Sequence, residues 1–451
     1  MVVETDESLV VHPLKDPLPL PPQFGGQPQV GATRNLRSGV LFNHPPQSSL
    51  KFTFSRIFNE KTSQKDFFDL AVQDTIKEFI DGQNALVFAY GVTNSGKTYT
   101  MQGTPSDGGV VPRTFDVIFN SIVDRQYKEG DLRPKCYCDV EKLDEEEVAR
   151  EKVNKEVILR QTSGTNQQQL STCTDDLTMN DDEVSTVVAN RRREEGTVAV
   201  AASRHVMYSV WASFAEIYNE QVFDLLRERV CKLRRICRAG HTSMARLREV
   251  NVMSADEAFK LLALGQRNLQ MAYTRINETS SRSHCIFTLK LIKTNKHWTN
   301  NKQTNLTSLS LCDLAGIERS YKTQNVGDRI KESGNINNSL FVLGRCIQAI
   351  RKNQSSTGPG FILPPFRDSK LTRLFQPYLN GRGRAKMIVT VSQCRSMYSE
   401  NINAIKFSAV AKQVWETCVY VCWRKREMRD KLIIYFRIFA FLTADHAAPD
   451  H

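Results

Sequence analysis

The sequence predicts an α/β fold of three layers: a central, mostly parallel sheet with helices on both faces. Three observations predict it. Apolar runs of strand character alternate with helical stretches along most of the 451 residues. The run Ala85 to Tyr90 (ALVFAY) leads through a glycine-bearing loop into a further helical stretch. Another run, Leu306 to Cys312, ends on an aspartate followed by Leu314-Ala315-Gly316.

Taken in order, residues 1–50 are rich in Pro, Gly and Gln and read as an irregular arm. A globular domain is expected over 51–412. Asp66 to Ile80 sets Phe67, Leu70, Val72, Ile76, Phe79 and Ile80 at near-helical spacing, and Asp81-Gly82 breaks that pattern ahead of the strand Ala85 to Tyr90. Between about 124 and 205 the sequence turns charged and Ser/Thr/Gln-rich, which predicts a long, largely disordered insertion with a short helix near Glu145 to Val157. Tyr208 to Tyr218 has the β-branched and aromatic content of a central strand. Strands are also expected at Cys285 to Ile292 and Leu306 to Cys312, and helices at Asp256 to Asn268 and Ser333 to Arg351. Residues 413–451 form an atypical extension. Its apolar run Leu432 to Leu442 is interrupted by Arg437 and is shorter than the roughly 20 residues that span a bilayer, so a buried or interfacial segment is expected.

Composition narrows the function little. A hydrophobic content of 40% suffices for a sizeable core, and a net charge of +12 favours a polyanionic partner, whether nucleic acid, an anionic membrane or an acidic protein surface. Eleven cysteines lack the paired spacing of a structural zinc site, and most read as reduced core thiols of an intracellular protein. The N-terminus opens acidic, without the basic start and apolar run of a signal peptide, so secretion is not expected.

The chemistry concentrates in three places. Gly91, Val92, Thr93, Asn94, Ser95, Gly96, Lys97 and Thr98 fit the phosphate-loop pattern, in which glycines let backbone N–H groups curl round phosphate oxygens and the lysine neutralises their charge. From average residue usage such a match arises by chance about one or two times in a hundred chains of this length. Thr98 is then a Mg²⁺ ligand. Asp313, at the end of its strand, is placed as the carboxylate near that metal, and Gly316 as a sensor of the γ-phosphate. Asn277 to His284 (NETSSRSH) gathers small hydroxyls around Arg282 just before a strand; alone it reads as a capped polar loop, and beside the other two elements as a switch.

These segments, FAYGVTNSGKTYTMQG (88–103), NETSSRSH (277–284), DLAGIER (313–319) and FRDSKLTRLFQ (366–376), resemble the signature set of kinesin motor domains, in the family's order over about 350 residues. The loop's Val-Thr-Asn, the long insertion and NGRGR (380–384) are similar to the mitotic subgroup that acts at the central spindle in cytokinesis. The resemblance implies a phosphate-loop ATPase fold, with ATP and Mg²⁺ as cofactors and a microtubule, not nucleic acid or membrane, as partner. ATP would contact residues 91–98, Tyr99 and Asn277. Thr98 and Ser281 would ligate Mg²⁺, with Asp313 acting through water. Ser280 and Gly316 would meet the γ-phosphate, and Arg282 would pair with Glu318 when ATP closes the site. Lys322, Arg329, Lys331, Arg367, Lys370, Arg373, Arg382 and Arg384 would face acidic tubulin. Activity would be plus-end-directed movement at spindle microtubules of the cytoplasm.

Departures from the family pattern open alternatives. The family's first strand bears Arg-x-Arg-Pro beside the adenine, whereas the nearest stretch here is Val10-Val11-His12-Pro13. Either the adenine is held more loosely or this N-terminus does not form that strand. Ile317 stands where the family usually has serine, which predicts slower turnover. Arg227 to Arg246 is unlike the strand pair expected there, and residues 415–451 lack heptads, so a homodimer is expected only if a neck or coiled coil exists. A non-motile microtubule crosslinker retaining the fold is the rival reading. A phosphate-loop kinase or GTPase is a third, which leaves SSRSH and FRDSKLTR unexplained.

Overall fold

The computed structural model describes residues 2–12, 49–135, 139–160, 191–203, 205–227, 229–235, 242–276, 282–295, 304–318, 328–355, 361–414 and 433–439. Its strands are β1 (Val2–Thr5), β2 (Ser8–Val11), β3 (Leu50–Thr53), β4 (Arg56–Phe58), β5 (Ala85–Tyr90), β6 (Leu132–Lys135), β7 (Asp139–Lys142), β8 (Val206–Tyr218), β9 (Gln221–Asp224), β10 (Arg229–Arg235), β11 (Thr242–Ala245), β12 (Val250–Val252), β13 (His284–Asn295), β14 (Asn305–Asp313), β15 (Arg384–Ser392) and β16 (Ile433–Phe439). The α-helices are α1 (Gln64–Ala71), α2 (Gln73–Asp81), α3 (Lys97–Met101), α4 (Val110–Ser121), α5 (Glu145–Arg160), α6 (Ala255–Ile276), α7 (Asp328–Ser355), α8 (Lys370–Leu379) and α9 (Tyr398–Ala411).

One 11-stranded sheet organises the molecule in the order β11-β10-β9-β8-β13-β14-β5-β15-β16-β4, with β12 alongside β8. Only β14, β5, β15, β16 and β4 run parallel to one another; β14 is antiparallel to β13, and the rest of the sheet is antiparallel. The sheet is therefore mixed where a mostly parallel one was expected. The reason is local: β8 turns into β9 through Asn219 and Glu220, both at positive φ (49° and 56°), and so tight a hairpin joins antiparallel strands.

β5 shows why the middle of the sheet reads as an unbroken apolar run. Its residues are all buried, with Ala85, Val87 and Ala89 in one core and Leu86, Phe88 and Tyr90 in the other. The first core holds Phe67, Phe79, Phe115, Phe214 and Phe287 beneath α1, α2, α4 and α6, with Phe115 and Phe287 rings 5.0 Å apart. The second holds Phe88, Leu343, Phe375, Met387 and Ile405 beneath α7, α8 and α9. Each buried phenylalanine contributes about 1.5–3 kcal/mol, so both faces of the sheet are firmly clad.

Elsewhere the expectations change. The single helix expected over 66–80 is two: Ser63 caps α1 by accepting from the Asp66 N–H, the β-branched Val72 leaves helical geometry (φ −125°), and Gly82 in the left-handed region (φ 116°) ends α2. The arm is not irregular throughout, because β1 and β2 form a hairpin that adds β3, burying Leu9 and Val11 in the second core. This small sheet stands apart from the main one, and Tyr398 donates its hydroxyl to the His12 carbonyl (2.9 Å). Of the two readings of the N-terminus, the structure thus supports the second: Val10-Val11-His12 lies outside the main sheet. A strand pair, β10 and β11, does form within 229–245.

The insertion carries more structure than its composition suggested. The hairpin β6–β7 and α5 occupy 132–160, with three glutamates in the first turn of α5 matching the helix dipole. Residues 191–203 lie against α4. There Arg191 is bidentate to Asp116 (2.7 and 2.9 Å), reaches Asp256 (2.8 Å) and stacks over Phe259, while Glu194 pairs with Arg113 and Lys65. Buried ion pairs leave no hydrophobic period to read, which is why the sequence hid this anchor.

Candidate functional site

β5 and β14 run parallel side by side, and the loops leaving their C-terminal ends meet. The loop after β5 is the phosphate loop. Gly96 sits at φ 89°, a conformation that favours glycine, and Asn94 shares the left-handed region at φ 60°. Gly91 packs so tightly on β15 that a Cβ would overlap the Thr390 carbonyl. Ser95, fully buried, ties the loop down by donating to the Val92 carbonyl (2.7 Å) and bonding the Thr390 hydroxyl (2.7 Å).

Lys97 is buried at the start of α3 and donates to the carbonyls of Gly91 (3.0 Å) and Val92 (2.8 Å). Burial pulls its ammonium below the ordinary lysine range, against the carboxylates of Asp313 and Glu318. The loop therefore holds a desolvated cation for which a phosphate would be a far better partner than two carbonyls.

Thr98 donates its hydroxyl to Asp313 Oδ2 (2.6 Å), bringing together the two residues predicted to share a metal. Burial pushes the Asp313 carboxyl above the usual carboxylate range, with Lys97 and the Thr98 hydroxyl pulling the other way. Its Oδ1 is buried and has no hydrogen-bond partner among the described residues. A shielded carboxylate oxygen beside a threonine hydroxyl suits a hard divalent cation. Among the described residues no cluster of three His, Cys, Asp or Glu exists, so such a cation would draw its other ligands from hydroxyls, phosphate and water, the habit of Mg²⁺.

Glu318 reaches back over the phosphate loop, accepting from the Thr93 N–H (2.9 Å) and from the Thr93 hydroxyl. Gly316 lies under this contact, where a Cβ would overlap Thr93 and the Glu318 carboxylate. The partner expected for Glu318 was Arg282, which is half-buried just before β13; here the Glu318 carboxylate is held by Thr93. Tyr99 follows on α3, partly exposed, with Gln64 of α1 donating to its carbonyl (2.6 Å). Asn277, Ser280 and Ser281 lie outside the described residues.

One residue escaped prediction although it closes the NETSSRSH motif. His284 is buried at the start of β13, accepts the Ala315 N–H at Nδ1 (3.0 Å) and so donates from Nε2 to Ser339 Oγ on α7 (2.7 Å). Burial, then Lys97, lowers its pKa to about 3, which keeps the ring neutral. It joins the segment before β13, the turn after β14 and the long helix α7, a linkage that only three-dimensional proximity reveals.

The predicted basic face divides. Arg367 and Arg382 are exposed, and Lys370 and Arg373 half-buried, on or flanking α8. Arg384, by contrast, forms an ion pair with Glu78 of α2 across the sheet, which removes it from that face. The backbones of Arg329 and Lys331 are on α7; Lys322 lies outside the described residues.

Comparison with known proteins agrees with this geometry. The model of the kinesin motor domain matches residues 35–414. Kinesin-like protein KIF20A of Bos taurus is 39% identical over 398 residues, covering 82% of this chain and 44% of that protein, so the chain spans less than half the length of this relative. Among solved structures, one described as kinesin 6 superposes with a TM-score of 0.64 at 30% identity, covering 79% of this chain and 89% of that one. A second, described as a fast kinesin, gives 0.58 at 27% identity and covers 81% and 80%. A phosphate loop gripped by Glu318, a Thr98–Asp313 pair beside it and a family match over most of the chain lead to one conclusion: this chain belongs to the kinesin motor-domain family.

Proposed function

We propose that the chain is the ATP-hydrolysing head of a microtubule motor. The observation that carries this is the convergence on one loop of Thr98 with Asp313 and of Thr93 with Glu318. In this reading the backbone of residues 91–98 cradles the phosphates, Lys97 turns from carbonyls to the β and γ oxygens, and Tyr99 and Asn277 border the nucleotide. Thr98, Ser281 and, through water, Asp313 would hold Mg²⁺, which supplies charge neutralisation at the β and γ phosphates. Glu318 leaves Thr93 to pair with Arg282, and with Ser280 and Gly316 that pair positions the attacking water. Phosphoryl transfer is accelerated chiefly by positioning and charge stabilisation, so a salt bridge that forms on closure serves as a catalytic gate.

The basic residues Arg367, Lys370, Arg373 and Arg382, with Lys331 and Lys322, form the microtubule face in this proposal. Plus-end-directed movement at the spindle midzone in cytokinesis is the cellular role we assign, on the likeness to kinesin 6. ATP turnover with and without microtubules tests the function: stimulation supports it, and no turnover in either condition refutes it.

A second reading is favoured by Ile317, whose side chain packs against the second core next to Glu318. An apolar anchor there slows the switch and would suit a non-motile, nucleotide-regulated microtubule crosslinker. Filament gliding separates the two: binding without movement supports the crosslinker.

A further inference from the structure

Where the insertion rejoins the domain, ionic side chains are buried away from the phosphate loop. Arg191 and Glu194 of the insertion and Arg113 and Asp116 of α4 lie inside, ringed by Lys65, Asp107, Arg193 and Asp256. Such a cluster adds little net stability, because desolvation offsets much of the attraction. What it supplies is geometry.

The cluster joins two pieces of the molecule. In the first, α3, which begins at Lys97 of the phosphate loop, is fixed to α4 through the turn between them. The Gly109 N–H donates to the Gln102 carbonyl (2.9 Å), a Cβ on Gly109 would overlap the Thr100 carbonyl, and Arg113 holds the Gly108 carbonyl (2.7 Å) and Asp107 (2.8 Å). The second piece is α6, whose last residue, Ile276, runs directly into the NETSSRSH segment. Arg191 stands between the two. It is bidentate on Asp116 of α4, 2.8 Å from Asp256 in the first turn of α6, and its guanidinium lies 5.1 Å from the Phe259 ring centre. The N–H groups of Glu194 and Arg192 fix the segment on the first piece, donating to Asp116 (2.9 Å) and to the Pro105 carbonyl (3.0 Å).

Midway along α6, Gly265 lies so close to β8 that a Cβ would overlap the Phe214 ring. That contact makes a fulcrum. Asp256 and Ile276 lie on opposite sides of it, on arms of about 14 Å and about 17 Å at the helical rise of about 1.5 Å per residue. A displacement of about 1 Å at the Asp256 end therefore moves the other end by roughly as much in the opposite sense.

We infer that Arg191 is a positioning residue for nucleotide turnover. It clamps one end of α6 to the piece that carries the phosphate loop and so sets where the opposite end delivers residues 277–284. This role rests on the ATP hydrolysis proposed for residues 91–98. Displacing a reacting group by about 1 Å can slow a reaction about a hundredfold, so a clamp far from the phosphates governs rate more than affinity.

The test compares the full chain with three variants. Asp256→Ala frees α6 and leaves Arg191 on Asp116, and Asp256→Glu restores the carboxylate. Glu257→Ala is the control: Glu257 sits on the same turn but accepts from the Met253 N–H (2.7 Å) and pairs with Lys155 (2.7 Å). In microtubule-stimulated turnover Asp256→Ala should lower kcat at least about tenfold and leave KM for ATP within about twofold. Asp256→Glu should recover most of the loss, and Glu257→Ala should match the unaltered chain. Hydrogen exchange without nucleotide should quicken about tenfold in Asp256→Ala at residues 282–284 and at Ala315, whose N–H donates to His284 (3.0 Å), with protection of β8 kept and no such change in Glu257→Ala. Unchanged kcat in Asp256→Ala overturns the inference, as does an equal fall in Glu257→Ala or unchanged exchange. If the unaltered chain turns over no ATP, the hydrolysis reading is refuted, and the exchange comparison still decides whether the clamp reaches residues 282–284.

Discussion

Acidification should destabilise this protein through His284, by an amount that can be worked out from its surroundings. The ring is buried, with one nitrogen accepting from Ala315 and the other donating to Ser339, and its pKa is lowered to about 3 from the ordinary 6.5. Below pH 6.5 the unfolded chain therefore takes up a proton that the folded chain refuses. Stability from this residue is fully present above pH 6.5 and is lost progressively as pH falls toward 3, at about 1.4 kcal/mol per unit. That gives a loss of about 1.4 kcal/mol at pH 5.5 and about 2.7 kcal/mol at pH 4.5. The control is His284→Gln, whose amide can accept from Ala315 and donate to Ser339 without titrating. Urea denaturation followed by tryptophan fluorescence, in which fully buried Trp211 is one reporter, should show a shallower decline with pH in the variant. Equal losses in the two proteins between pH 7.5 and 4.5 would refute the reasoning, because carboxylates and the other histidines are common to both.

Lys97→Met should abolish ATP binding in calorimetry while leaving the melting temperature equal or higher, since it removes a desolvated ammonium from the loop. Gly316→Ala forces Thr93 and Glu318 apart; turnover should fall at least about tenfold with nucleotide binding retained, read as a drop in kcat. Arg191→Met strands the buried Asp116 carboxylate and should cost about 3–5 kcal/mol in urea denaturation, with Asp116→Asn in the same chain restoring part of it. Lys370→Ala with Arg373→Ala should weaken microtubule co-sedimentation and flatten its salt dependence, whereas Arg384→Ala should act on stability through Glu78.

The fold and the phosphate loop were legible because both are written in local pattern. β5 matches its expected limits, Ala85 to Tyr90, since an apolar run flanked by turn residues marks a fully buried strand wherever it occurs. Asp313 could be singled out because a strand-end aspartate followed by Leu-Ala-Gly gains its meaning from the phosphate loop in the same sequence, and the structure sets it beside Thr98. What escaped depends on contacts between distant residues. The anchor at Arg191 and Glu194 looks like solvated charge until Asp116 and Arg113 of α4 are brought beside it. Arg384 looked like part of a basic face because sequence shows its neighbours in the chain and not Glu78. The break at Val72 was invisible because a helix of α1 and α2 combined would satisfy the same apolar spacing.

The partnership of β16 with β4 also bears on how the chain acquires its shape. The two strands are roughly 380 residues apart in sequence, and pairings over such distances are slow because the loop between them must first be drawn closed. During synthesis β4 emerges early and β16 after every other described element, at roughly 5–20 residues per second. The flank of the sheet beside the phosphate loop therefore waits tens of seconds for its last strand. β15 ends only about 40 residues before β16, so for the last few seconds of that interval it is an unpaired edge, the form most open to wrong pairing with another chain.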